Sequence, residues 1–339
     1  MARESTIENT TKVGVGSVMN NNDLYTGKSF DVIVVGELNV DLILNKIEKF
    51  PAIGKEVLAN GMTLTMGSSS AIFASNLSTL GSLTSFCGKL GMDDFGNYVI
   101  ASLKERGVNT LNVIQSPEVA TGATIVLNFG EERAMVTHQG AMAYLAFDDI
   151  PEEALSQCKH LHVSSVFLQP ELKKDIIKLF SKAKSLGLTT SLDPQWDPAE
   201  KWDIDFKALL SYVDVFLPNQ KELEEITGCK EITAAVQYLS EANLVAIKRG
   251  SEGACLWDGK KFLDQPSFLN HAVVDSVGAG DSFNAGFIHK FVQQRPLTEC
   301  LEFAALMGAV NTTRAGGTAA FSDINTVRKI ARTTFNYTF

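Results

Sequence analysis

Short β-branched runs that stop at polar residues constrain this chain more than any other feature. DVIVVG (31–36) is apolar on both faces of an extended segment, as a strand inside a parallel sheet must be. It leads into ELNVD, where Asn39 and Asp41 point to one side. GLTTSLDP (187–194) ends at Asp193-Pro194, VDVFLPN (213–219) at Pro218-Asn219, and NLVAIKRG (243–250) runs into KRGSEG. HAVVDSVGAGD (271–281) reads as a fifth strand. Amphipathic helices lie between. ELKKDIIKLFSKAKSLG (171–187) sets Leu172, Ile176, Ile177, Leu179 and Phe180 near one stripe, and FGNYVIASLKERG (95–107) does so with Tyr98, Val99, Ala101 and Leu103. The alternation predicts an α/β fold with a doubly wound, mostly parallel sheet flanked by helices. Ligands bind such sheets beyond the carboxyl ends of the strands, where the polar punctuation falls here.

Two segments break the rhythm. Residues 41–67 and 121–142 alternate, carry Gly turns and lack a helical period. They predict a small β-layer projecting as a lid, the alternative being two extra edge strands of the main sheet. Residues 1–29 are polar, without the apolar core of a signal peptide, and read as an extension ahead of one domain over 30–330.

Composition excludes several functions. With 30 basic and 39 acidic residues, net charge −9 and no basic block, nucleic acid is not an expected partner. No run reaches the ~20 apolar residues of a membrane span, so a cytoplasmic protein is expected. Cys87, Cys158, Cys229, Cys255 and Cys300 form no C-x-x-C pair and read as reduced, buried thiols. There is no G-x-x-x-x-G-K-[ST], no G-x-G-x-x-G after the first strand and no H-E-x-x-H. His160 and His162 alternate in a strand-like run and read as structural.

DSVGAGDSFNAGF (275–287) carries the sharpest signal. Gly278, Ala279 and Gly280 run into Asp281, and Phe283, Phe287, Ile288, Phe291 and Val292 follow at helical spacing. One reading makes Asp281 an N-cap. The other takes the glycine turn as a phosphate cradle at a helix start, with a carboxylate that must then have a task of its own.

That segment closely resembles the C-terminal signature of the ribokinase-like, or phosphofructokinase-B-type, carbohydrate kinases. The likeness spans roughly residues 31–325 and includes GELNVD, GMDDFG (91–96), LPNQKE, KRGSEG and TRAGGTAAF (313–321), in the family's order. It implies a ribokinase-like fold and transfer of the γ-phosphoryl group of ATP to a hydroxyl of a small sugar. Asp281 would be the general base, and the N–H groups of Gly278, Ala279 and Gly280 an anion hole. Asn219 and Glu222 match an N-x-x-E that organises Mg²⁺ and its waters near ATP; by themselves they also read as a helix cap. Gly250 and Gly253 match the nucleotide loop with Lys248 or Arg249 near the phosphates, and Gly316 lies in the segment bordering adenine and ribose. Asp275 resembles the K⁺ loop of some members. Asn39 and Asp41 match the acceptor site, together with Gly67 and Ser68 of the G-G-x-x-x-N turn and Asp193 of D-P-N-x-R. The likeness also allows a homodimer through the lid.

The departures lie on the acceptor side. Ser68 stands for the second Gly and Ile72 for the Asn of G-G-x-x-x-N, with Ser68, Ser69, Ser70 and Asn76 as candidate replacements for that Asn. Gln195 replaces Asn and Asp197 replaces Arg in DPQWDPAEKW. With Asp197 in place of an Arg that pairs a substrate carboxylate, a neutral ketohexose or pentose is the expected acceptor. A nucleoside kinase on the same scaffold is the alternative; a non-catalytic binding protein is disfavoured because base and anion hole are both present.

Overall fold

The computed structural model describes residues 27–129 and 132–339. The extension expected over residues 1–29 lies almost wholly outside them.

The large sheet is built on β1 (Phe30–Val35), and its alternate residues feed two cores. Val32 and Val34 face a layer containing Phe73, Phe287 and Phe303. Ile33 and Val35 face the opposite layer, with Leu179 and Phe180. Burying each such side chain contributes about 1.5–3 kcal/mol, so a one-residue slip would exchange both faces at once and find no equivalent packing. On one side β1 pairs in parallel with β4 (Thr84–Gly91), which pairs with β5 (Asn109–Ser116). On the other side come β8 (Cys158–Ser164), β9 (Thr189–Asp193), β10 (Val215–Phe216) and β11 (Leu244–Lys248), all parallel. β12 (Ala254–Trp257) and β13 (Phe262–Gln265) finish the edge antiparallel. Among the described residues the sheet has nine strands.

The strand expected at 271–281 does not form. Residues 271–274 are exposed and have no sheet neighbour beyond one hydrogen bond from Val274 N–H to Thr312 O, 2.9 Å. The β-branched pair Val273-Val274 mimics a strand but packs in no sheet. The helix expected over 171–187 divides at Asp175 into α4 (Pro170–Lys174) and α5 (Ile176–Ser185). The helix expected at 95–107 forms as α2 (Asp94–Glu105).

The two irregular segments make a separate sheet: β3 (Ala59–Met66), β2 (Asn39–Ile47), β6 (Gly122–Phe129) and β7 (Glu132–His138), in that order. Register sorts its faces. Leu42 lies across from Leu64 and Ile125, and Ile125 from Val136, which makes one side apolar and largely open. Asp41 lies across from Thr65 and Thr124, and Thr124 from Thr137, which makes the other side polar.

Two helices complete the frame of the site. α1 (Ser69–Thr79) leaves the small sheet, and α9 (Ala279–Val292) packs on it and on α10 (Leu297–Asn311). The chain ends in α11 (Ile324–Phe335), beyond which Tyr337 and Phe339 return to the core.

Candidate active site

The site forms where β1, β9 and β11 end and α9 begins. Gly278, not Asp281, is the residue preceding α9, with φ 75°, the left-handed region open to glycine. A Cβ on it would lie 2.5 Å from Gly317 Cα, so the turn admits no side chain. Asp281 is the third residue of the helix, buried in its first turn. Of the N–H groups expected to form an anion hole, that of Ala279 bonds Ser276 O at 3.2 Å. Those of Gly278 and Gly280 have no partner among the described residues, and α9 adds the positive end of its dipole. The turn is pinned from behind. Asn311 Nδ2 donates to Val277 O (2.6 Å), and Asn76 Nδ2 donates to Ser282 Oγ and Gly317 O (2.9 Å each).

Asp281, Asp193 and Glu222 act on the largely buried ammonium of Lys248, and a fourth buried carboxyl group, Glu37, faces Asp281. Lys248 Nζ lies 2.7 Å from Asp193 Oδ2. Asp193 is fully buried and also accepts from Asn284 Nδ2 and from Gln195 Nε2 (3.1 Å). Gln195 Nε2 is in turn 3.0 Å from Asp281 Oδ1. Glu37 accepts from Ser70 N–H (3.2 Å) and Ser70 Oγ. Burial pushes Asp281 well above the ordinary carboxylate range, helped by Asp193 and opposed by Lys248. Burial also raises Glu37, against the hydrogen bonds from Ser70. Glu222 is pushed up to about 7 by burial and then by Asp193. Burial alone would lower Lys248, but Asp193, Glu222 and Asp281 outweigh it and hold the ammonium charged. Once ionised, a carboxyl group shifted upward is a stronger base than an ordinary one.

Behind this cluster opens a cavity of about 340 Å³, lined by Lys248, Gly250, Gly253, Phe268, Gly280 and Thr312 among others. Its size and mainly apolar walls suit a flat heterocycle with a polar tail. Asn219 and Glu222 form the capping box of α7 (Gln220–Thr227): Asn219 Oδ1 accepts from Glu222 N–H, and Glu222 Oε2 accepts from Asn219 N–H (2.8 Å each). The helix-cap reading is thus realised in full, with the carboxyl group still beside Asp193 and Lys248. Asp275 bonds Val277 N–H (3.0 Å) and Gly316 N–H (2.8 Å), tying the 313–318 loop to the turn before α9.

The polar face of the small sheet adjoins the Asp281 cluster through Glu37 and Ser69, which precede β2 and open α1 and both face Asp281. Asn39 Nδ2 donates to Thr124 Oγ1 (2.8 Å), and Asn39 Oδ1 is buried without a partner among the described residues. Asp41 is pushed up to about 6 by burial, against the amide of Asn39. A Cβ on Gly67 would lie 2.5 Å from Asp41 Cγ and 2.7 Å from Asn39 Oδ1, so a side chain there would displace both groups. Ser68 precedes α1 with φ 72°, donates to Glu37 O (2.5 Å) and caps Ala71 N–H (3.0 Å). Its hydroxyl is therefore spent on the turn. Asn76, a candidate replacement for the missing family Asn, serves the anion-hole turn instead. Asp193 is enclosed by Lys248, Asn284 and Gln195 and sits beside Asp281.

Asp197 is buried in its own loop. Its carboxylate accepts 2.8 Å hydrogen bonds from the N–H groups of Ala199, Lys201 and Trp202. The carboxylate expected to repel an anionic substrate is thus hydrogen-bonded inside its own loop.

Sequence reasoning assigned no role to Glu37, Asn284 or Asn311 and did not foresee that Gln195 reaches Asp193 and Asp281. Glu37 was visible inside GELNVD and Asn284 one helical turn after Asp281. The signal for both is a polar residue within an otherwise apolar run.

Comparison with known proteins agrees with the fold. A sequence model of the pfkB family carbohydrate kinases matches residues 29–324. An uncharacterised sugar kinase of Archaeoglobus fulgidus is 30% identical over 230 residues, covering 66% of this chain and 89% of the relative. A 5-dehydro-2-deoxygluconokinase of Lacticaseibacillus casei is 26% identical over 317 residues, 88% of this chain and 94% of the relative. The structure of Arabidopsis thaliana ribokinase complexed with ribose and ATP superposes with a TM-score of 0.76 at 25% identity, covering 88% of this chain and 98% of that one.

Proposed function

This chain belongs to the pfkB family of carbohydrate kinases, phosphotransferases with an alcohol group as acceptor, and from that premise we propose that it transfers the γ-phosphoryl group of ATP to a hydroxyl of a small neutral sugar, a ketohexose or pentose. The observation that carries the reading is Asp281, buried in the first turn of α9 directly behind Gly278 and Gly280. A base and an anion hole three residues apart are what in-line transfer to a hydroxyl requires.

ATP occupies the cavity beside Gly250 and Gly253, its phosphates directed toward the start of α9 with Asn219 and Lys248 alongside. The acceptor lies under the polar face of the small sheet, with Asn39 and Asp41 taking its hydroxyls. Gly67 keeps that wall thin enough for them. Asp281 takes the proton from the attacking hydroxyl as the phosphoryl group arrives on the N–H groups of Gly278 and Gly280. Lys248 pairs with Asp193 at 2.7 Å, which turns its ammonium toward that carboxyl group.

Glu222 fits an ion carried in by the nucleotide. Its oxygens already accept from Asn219, so a hydrated Mg²⁺ held mainly by phosphates is the species it suits. When bound, Mg²⁺ neutralises phosphate charge. Asp275, with one lone pair left on each oxygen, is the place to test for K⁺ dependence. The small sheet acts as a lid that excludes water, and its apolar outer face, with Leu42, Leu64, Ile125 and Val136, supports pairing of two copies. A cytoplasmic location accords with unpaired cysteines and with no helix among the described residues long and apolar enough to cross a membrane.

Acceptor identity is where relatives diverge: one is named for a gluconate derivative, another was solved with ribose. Asn39, Asp41, Glu37, Ser70 and Thr124 bring no positive charge to the acceptor side, which supports a neutral sugar. The test is ADP release across sugars, sugar acids, sugar phosphates, polyols and nucleosides. Release that depends on a neutral sugar supports the reading. A response to nucleosides alone replaces the acceptor class, and no response to any acceptor leaves a binding protein.

A further inference from the structure

We propose that Gln195 is the positioning residue of the catalytic base, its one side-chain amide clamping Asp281 Oδ1 and Asp193 Oδ2 and leaving the second oxygen of Asp281 to face the acceptor. The proposal rests on the reading of Asp281 as base.

The geometry is specific. Nε2 lies 3.0 Å from Asp281 Oδ1 and 3.1 Å from Asp193 Oδ2, so the two N–H bonds of one NH₂ group are divided between two carboxylates. Asparagine, one methylene shorter by about 1.5 Å, would not reach both from the same backbone.

The backbone is built to hold this side chain. Gln195 has φ 55°, a left-handed conformation that a glutamine adopts only when its surroundings impose it. Its own N–H donates to Asp193 Oδ1 at 3.2 Å. Asp197 gathers three backbone N–H groups of the same loop, and Trp196 and Trp202 meet edge to face at 5.3 Å. The loop is therefore stiff, and Gln195 is presented by it rather than free to search.

The clamp answers an electrostatic need. Asp281 is faced by Asp193 from the end of β9, by Glu37 from the segment after β1, by Lys248 from the end of β11, and by the Ser69 hydroxyl from α1. Glu222 of α7 faces Asp193 and Lys248. Lys248 is the one cation among these groups, and its ammonium sits on Asp193. Without a neutral double donor, Asp193 and Asp281 would repel, and Asp281 would rotate or take up a proton. Gln195 supplies hydrogen bonds to both without adding a charge that would compete for the phosphoryl group.

Two substitutions test it. Gln195→Met removes both N–H bonds at nearly constant size, and Gln195→Asn keeps the amide but shortens it. Losing a donor to the ionised form raises the pH at which Asp281 becomes a base. The acidic limb of kcat/KM, measured in parallel with D-fructose, D-ribose and 2-deoxy-D-ribose, should move up by about one pH unit in both variants. Turnover should recover toward wild type at high pH, with KM for ATP unchanged. Carbon-13 NMR titration of labelled aspartate carboxyl groups, with the Asp281 signal assigned from Asp281→Asn, reads the same shift without turnover. An unchanged Asp281 titration in Gln195→Met, or an equal loss of rate at every pH, overturns the proposal. If Asp281→Asn keeps more than a tenth of wild-type turnover, the base reading itself fails. A titration shift that persists in that case marks a structural contact only, and the proposal falls with the reading.

Discussion

Ile72 packs directly on Gly317. A Cβ added to Gly317 would lie 2.7 Å from Ile72 Cγ1 and closer still to Cδ1. The contact explains why isoleucine stands where the family pattern has an asparagine. Its side chain locks α1 to the 313–318 loop, which in turn lies against Gly278.

Gly317→Ala should therefore damage the anion-hole turn by steric pressure alone, because Gly317 has an ordinary φ that alanine can adopt. Overpacking of this kind costs about 1–3 kcal/mol. The expected result is a lower melting temperature and a raised KM for ATP. Ile72→Val removes Cδ1, so the double variant should regain part of the loss. A double variant no better than Gly317→Ala would place the damage elsewhere.

Asp281→Asn should abolish phosphoryl transfer while leaving nucleotide affinity nearly intact. Removal of a general base accounts for ~10²–10⁴-fold in rate, and disturbed positioning adds to it. Turnover and ADP affinity are measured separately. Retention of more than a tenth of wild-type turnover would remove Asp281 from its role.

The parallel sheet and the separate small sheet were legible because their signals are local. A buried strand such as DVIVVG declares itself by apolar residues on both faces, and the Gly turns of 41–67 and 121–142 have no helical reading. The segment 271–281 misled for the same reason: Val273-Val274 has strand chemistry but no neighbour to pair with, and pairing is not local. The turn before α9 was read correctly as glycine-dependent, but which residue sits one position ahead of the helix depends on Gly317, 39 positions further along the chain. The same holds for Asp197. Its residue type promised a charge facing substrate, and only the three-dimensional loop reveals three backbone amides around it.

Asp41 should limit stability at neutral pH. Burial raises its carboxyl from the ordinary 3.8 to about 6, so the folded state binds this proton more tightly than the unfolded state. Its contribution is present in full below pH 3.8 and is lost as pH rises through about 6. The loss is on the order of 1–3 kcal/mol. Asp41→Asn should be more stable than wild type by that amount at about pH 8 and no more stable near pH 4. If Asp41 binds the acceptor, the acceptor KM should rise in the same variant. Chemical denaturation at both pH values, with kinetics beside it, checks the trade. Equal stabilisation at both would show that the gain is not ionic.

A neutral acceptor should outcompete an anionic one, now on the ground of missing cations rather than of Asp197. Lys248 is committed to Asp193 at 2.7 Å, and Arg133 stands exposed on β7 of the small sheet. A carboxylate or phosphate on the acceptor would enter beside Asp41, Glu37 and Asp281 without a partner of its own, and unpaired like charge at a desolvated site costs several kcal/mol. The comparison is kcat/KM for D-fructose and D-ribose against 2-keto-3-deoxygluconate and fructose 6-phosphate, with the neutral sugars favoured by about tenfold or more. Asp197→Ala belongs in the same series. It should lower the melting temperature, because three N–H groups lose their acceptor, and leave the ratio of neutral to anionic substrates unchanged. A shifted ratio would return Asp197 to the acceptor wall. Should either anion win by about tenfold, a lid cation must reach it, and Arg133→Ala should then abolish that preference while sparing neutral sugars.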